Sequence, residues 1–147
     1  MAIELHYMSS TEWGGGCSVN HPNLYRGQTE MMTIEMIAEV CHNVNKAYCE
    51  SIGDFSQVKW DEAEEWQRDS AFEGVKAHLA NPNLTPKDSH DSWLTHKLVN
   101  GWKYGAKKDP VSKEHPCMLP YDLLPQYQRS KDYIFKAVMD SLRKYNK

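Results

Sequence analysis

Between Ile34 and Ile52 apolar residues recur at three- and four-residue steps. Ile34, Ile37, Cys41, Val44, Tyr48 and Ile52 therefore share one face of a helix. Thr33 offers a side-chain oxygen as N-cap, and Gly53 stands where a C′ residue turns left-handed, so the spacing predicts a helix over Thr33–Ile52. A connector follows from Asp54 to Trp60. Asp61, with Glu64 three residues on and Trp60 just ahead, has the form of a capping box with a staple. It predicts a second helix to Ala80, with Trp66, Phe72, Val75 and Leu79 inward. Asn81-Pro82-Asn83 stops that helix. Thr85 as N-cap, Pro86 at N1 and Asp88 at N3 open a third, which runs to about Asn100 and ends at Gly101. Its apolar residues, Trp93, Leu94, Leu98 and Val99, are sparse.

The helical period breaks over 102–120. Trp102/Tyr104 and Cys117/Leu119 alternate on either side of a Lys-rich turn holding Asp109-Pro110, which predicts a short two-stranded hairpin. A last helix begins within Pro125–Arg129 and reaches about Tyr145, with a stripe of Ile134, Val138, Leu142 and Tyr145. The expected fold is mainly α: about four helices around a small core, with one short β-hairpin between helices 3 and 4. Upstream, Trp13–Gly16 reads W-G-G-G and Asn20–Arg26 reads N-H-P-N-L-Y-R, which are turn signals, with one short strand over Ile3–Met8. Residues 1–31 read as an irregular N-terminal arm that Trp13, Leu24 and Tyr25 help to bury. The alternative is an extension ahead of a start at Met31 or Met32.

Charge narrows the function classes. The 147 residues carry a formal net charge of −3, which argues against a general nucleic-acid binder. No apolar run approaches the roughly 20 residues that span a bilayer, and Glu4 and His6 break any leader-like start, so no membrane or secretory role is expected. Four cysteines are few for a disulfide scaffold, and reduced thiols in a cytoplasm are the expectation. Six acids between Asp61 and Ala80 (Asp61, Glu62, Glu64, Glu65, Asp69 and Glu73) crowd one helix start against Arg68 and Lys76, as the helix dipole favours.

Within this acidic chain one stretch is basic. From Lys97 to His115, five lysines (97, 103, 107, 108 and 113) face only Asp109 and Glu114. Trp102 and Tyr104 lie among them, Trp93 stands one turn ahead of Lys97, and Arg129 follows. Aromatic faces stack on a flat ring for about 1–3 kcal/mol, and lysines meet an anion. Trp93, Lys97, Tyr104, Lys107, His115, Arg129 and His90 are the candidate ligand-binding residues. The bland alternative makes Trp93 and Trp102 core anchors with solvated lysines around them. Gly101, Trp102, Gly105, Pro116, Pro120 and Tyr121 are expected to be structural, with positive φ at both glycines. His90, His96, His115 and Cys117, with Cys17 and His21, supply metal-binding atoms, but at spacings wrong for a zinc site. His90 and His96, six apart, fall on opposite sides of a helix. Neither Cys17 nor Cys117 has neighbours that mark an activated nucleophile. The W-G-G-G turn is weak evidence for a phosphate loop. No catalytic residue, metal or cofactor is expected.

A composite pattern ties these pieces together. His90-Asp91-Ser92-Trp93, then Gly101-Trp102-Lys103-Tyr104-Gly105, then Asp109, His115-Pro116-Cys117, Pro120-Tyr121 and Leu124-Pro125 follow in order over about forty residues. This string resembles the ryanodine-receptor repeat (RyR) domain over residues 83–143, within a domain spanning 32–147. Asp91 stands for the commoner Glu, and Met118-Leu119 for the usual Leu-Val. The first helix is similar to the front half of small stand-alone versions found in bacteria and their phages. The resemblance implies a non-enzymatic module binding an anionic, adenine-nucleotide-like molecule, to sense or sequester a nucleotide signal in the bacterial or host cytoplasm. The repeats occur in pairs in the receptor, which implies a homodimer for a single-copy chain. The alternative is a protein–protein interaction module without a small ligand, using the acidic helix face or the arm.

Overall fold

The structure, a computed structural model, describes residues 31–146. The strand expected at 3–8, the glycine turn at 13–16, Cys17 and His21 lie outside the described residues. Helix accounts for 64% of what is described.

Helix α1 spans Ile34–Ser51, and Thr33 Oγ1 accepts the Met36 N–H at 3.1 Å as its N-cap. Gly53 takes φ +84 beyond its end. Trp60 is drawn into the core, where its ring meets His42 and Phe72 edge-on at 5.5 and 5.9 Å. That pull converts Trp60–Glu62 into a 3-10 turn. Helix α2 therefore starts at Glu65 rather than Asp61 and runs to Ala80, with the Gln67 side chain accepting the Glu64 N–H. Helix α3 covers Pro86–Val99. Thr85 and Asp88 cap it reciprocally: Thr85 Oγ1 accepts the Asp88 N–H and the Asp88 carboxylate accepts the Thr85 N–H. Gly101 takes φ +80 just past its end.

Two-residue strands β1, Lys103–Tyr104, and β2, Glu114–His115, follow α3. They pair in parallel, Lys103 with Glu114 and Tyr104 with His115. This corrects the expected hairpin. A parallel pair cannot close through a tight turn, so the chain loops out over 105–113 and returns in the same direction. The loop is fastened by an antiparallel bridge between Asp109 and Glu114. The Asp109 carboxylate also accepts the Val111 and Ser112 N–H groups and the Ser112 hydroxyl. Gly105 has no positive φ, against expectation. A Cβ there would lie 2.5 Å from Glu114 Cβ, so the strand pairing is what demands glycine. Helix α4 spans Gln126–Leu142 and continues as a 3-10 turn to Tyr145. The Met32 N–H bonds the Tyr145 carbonyl at 2.8 Å, joining the entrance of α1 to the exit of α4.

Apolar burial is divided in two. The main core joins α1, α2 and α4 through Ile37, Ala38, Cys41, Trp60, Val75 and Met139. A smaller one under α3 holds Cys117, Tyr121 and Leu124 against Trp93 and Leu119. Helix α3 buries His90 and Lys97 rather than leucines. Polar groups on the inner side of α3 leave the two cores unmerged, and a cavity separates them. Among the described residues no helix is long and apolar enough to cross a membrane.

Candidate functional site

The cavity encloses about 240 Å³ and takes its walls from all four helices and the segment after β2. Helix α2 approaches α4 closely at Gly74, where a Cβ would meet Phe135 Cζ at 2.9 Å. Trp93 on α3 and His115 at the end of β2 form an aromatic wall, their ring centroids 5.1 Å apart and edge-on. Gln128, Lys131 and Asp132 on α4 line the same space. Counting back from Leu142 through Val138 and Phe135, steps of three and four reach Lys131 and Gln128. Thus α4 turns polar residues inward on the face that elsewhere feeds the core.

Hydrogen bonds fix which atoms are left for a ligand. The Cys117 N–H donates to His115 Nδ1 at 3.0 Å, which places the ring proton on Nε2. That Nε2–H has no partner among the described residues. Burial, and then Lys108, Lys131 and Lys97 around it, push the His115 pKa down to about 3. The ring is a neutral donor. His78 Nε2 meets Ser89 Oγ at 2.7 Å, and the Ser89 hydroxyl in turn donates to the Thr85 carbonyl. His78 Nδ1 is consequently a bare acceptor, buried and unpartnered among the described residues. Burial lowers the His78 pKa too. Asp132 has neither an ion pair nor a hydrogen bond among the described residues, although Lys131 is its chain neighbour. Burial, with Asp91 adding a like charge and Lys131 opposing, raises its carboxyl to about 7. The Cys117 thiol is pushed up to about 11 by burial, so it is no nucleophile at neutral pH.

The candidate residues read from sequence divide. Trp93, His115 and His90 line the cavity. His90 is already engaged, donating from Nε2 to the Leu119 carbonyl at 2.7 Å. His96 lines the cavity as well. His90 and His96, six residues apart on α3, thus both reach the same cavity. Lys97 is not a solvent-facing phosphate ligand. It is 3% exposed, with Nζ 4.7 and 4.9 Å from the ring centres of Trp66 and Trp102 and donating to Ser70 Oγ at 2.6 Å. Burial, with Lys108 nearby, lowers its pKa to about 8. Tyr104, on the surface strand β1, and Lys107, in the loop after it, are exposed and lie outside the cavity lining. Arg129 sits outside the lining, its guanidinium 6.0 Å from the Tyr121 ring.

Trp102 is 5% exposed and packs on Trp66 at 4.9 Å between centroids. Tyr121 is buried with Leu124 and Cys117, Pro116 is half-buried, and Pro120 precedes a 3-10 turn at Tyr121–Leu123. Sequence reasoning passed over Lys131, Asp132, Gln128 and Trp66 as site residues. The available signal was the polar interruption of the α4 stripe. Lys108, one of the five lysines of the basic stretch, folds its amine back to 5.1 Å from the Trp66 ring centre. No group of three His, Cys, Asp or Glu side chains among the described residues is placed to hold a metal ion.

The sequence model of the family described as the RyR domain matches residues 74–145. The matched stretch opens in the middle of α2 and carries α3, both strands and α4, hence most of the cavity wall. Domains of this family are of the ligand- or protein-interaction type.

Proposed function

We propose, from the premise that residues 74–145 belong to the RyR domain family, that this domain is a non-enzymatic binding module for a small anionic, adenine-nucleotide-like molecule held in the interhelical cavity. The observation that carries the reading is the pairing, in one cavity, of an aromatic wall with polar groups that hold no ion pair among the described residues. Trp93 supplies a ring face, while Lys131 and the Nε2–H of His115 supply a cation and a donor for an acidic oxygen. Lys97 and Lys108 add positive field around His115 without entering the lining. At about 240 Å³ the space falls below the roughly 300–1,000 Å³ typical of drug-sized ligands, which favours one ring system over a dinucleotide. In this reading the neutral His115 ring and the protonated Cys117 thiol have no catalytic role. A cytoplasmic homodimer that senses or sequesters a nucleotide signal is the form of action we favour.

A thermal-shift screen against adenine, guanine and cyclic nucleotides tests the reading. A ligand at 100 times its dissociation constant stabilises by about 2.7 kcal/mol. Trp93→Ala should then weaken binding by about 1–3 kcal/mol in calorimetry. A second reading, a protein-interaction surface, is favoured by Leu98, Val99, Tyr104 and Val111, which leave large apolar areas exposed between α3 and β2. It gains ground if no nucleotide shifts the melting temperature.

A further inference from the structure

Asp132 is the one cavity-lining carboxylate on α4, and nothing in the described structure uses it. An acidic side chain brought into a half-buried wall without a partner opposes folding. Lys131, its sequence neighbour, lines the same cavity but does not pair with it. Asp91, Asp140 and Glu50, on the more exposed helix faces, each hold a lysine one turn away. Asp132 sits one helical turn after Gln128, another polar residue of the cavity lining, and shares that lining with His115, whose Nε2–H is a donor, and with Trp93. The cavity is therefore two-sided in its hydrogen bonding. His115 and Lys131 offer donors, while Asp132 offers acceptor oxygens.

We infer that Asp132 is the specificity-determining residue of this cavity, accepting a hydrogen bond from the exocyclic amino group of a ring stacked on Trp93. The class of ligand is then an amino-bearing heterocycle with an acidic group, and keto analogues of the same size are rejected. Above its raised pKa of about 7 Asp132 is ionised, and a keto oxygen brought to its oxygens then sets acceptor against acceptor and leaves both without a proton to share. Lys131 and His115 take the acidic end, which is common to both ligand types. This inference rests on the binding reading above. It adds that discrimination resides in Asp132.

Calorimetric titration of the full chain at pH 8, where Asp132 is ionised, with AMP, IMP and N6,N6-dimethyl-AMP tests it. These probes share ribose and phosphate and differ at the position that donates. Wild type is expected to bind AMP about tenfold or more tightly than either analogue, the scale of one hydrogen bond to a charged group. Asp132→Leu is expected to lower AMP affinity to the level of IMP, to leave IMP binding within about twofold, and to melt no lower than wild type. The analogue comparison on wild type decides the matter even if that variant folds poorly. Equal affinity of wild type for AMP and IMP overturns the role of Asp132 while leaving the binding reading intact. Undiminished discrimination by Asp132→Leu does the same. Failure of wild type to bind AMP, IMP or the dimethyl analogue overturns both.

Discussion

Gly101 shows how one residue's backbone freedom shapes this fold. Its φ of +80 turns the chain out of α3 into β1, and the space around it is open, since the nearest Lys113 atom would lie 3.9 Å from a Cβ. The cost of a side chain there is backbone strain rather than collision. Gly101→Val should lower stability by more than about 1 kcal/mol in urea unfolding, and an unchanged midpoint would contradict that geometry. Gly105 is the reverse case: ordinary backbone, but a Glu114 Cβ in the way. Sequence could identify the first glycine from its place after a helix. It marks Gly105 too, but for positive φ, whereas the constraint comes from Glu114 in a strand nine residues on. Lys97 was illegible for a related reason. A lysine in a basic run reads as exposed, and only the meeting of Trp66 from α2 with Trp102 from the loop encloses it. Trp66→Leu removes one side of that enclosure and should cost about 1–2 kcal/mol, including the cation–π contact. Thermal melts of the variant read it directly.

Elements were legible where their signals are local. The caps of α1 and α3 lie in the sequence as Thr33 and as Thr85 with Asp88, and both form. Thr85→Ala should cost about 1 kcal/mol of stability, measured by denaturant unfolding. Where a long-range contact competes, the local signal loses. Asp61 and Glu64 look like a helix start, yet burial of Trp60 against His42 and Phe72 outweighs it and delays α2 to Glu65. Strand direction was likewise beyond reach. Alternating residues around Asp109-Pro110 fit a hairpin, but the parallel register depends on the Asp109–Glu114 bridge and on the fit of Gly105 beneath Glu114. On α4 the apolar stripe is plain from Ile134 to Leu142, whereas its polar continuation at Lys131 and Gln128 acquires meaning only once α3 and His115 stand opposite.

For the whole molecule, two separate cores and the cavity between them set both stability and function. All four helices and several of the connections between them contribute the walls, so no window of sequence contains the site. Its titration behaviour follows from burial. His115 and His78 have pKa values below the ordinary 6.5, so the fold favours their neutral forms. The stability they contribute is full above pH 6.5 and is lost as pH falls below it. Asp132 works in the opposite sense. Its carboxyl is raised from 3.8 to about 7, so its protonated form suits the fold, and that contribution is lost as pH rises from about 4 through 7. Thermal melts of wild type and Asp132→Asn should diverge over that range, with wild type falling behind as pH rises. Parallel curves would show that Asp132 is not desolvated.

The claim that the cavity is a ligand site, rather than a packing gap between cores, is tested most directly by NMR titration of labelled protein with AMP. Shifts should concentrate on the Trp93 indole N–H, the His115 ring and the backbone of α4 from Gln128 to Asp132, with little change at Tyr104, Lys107 or Val99. Shifts confined to those three exposed residues, or none at millimolar nucleotide, would contradict it.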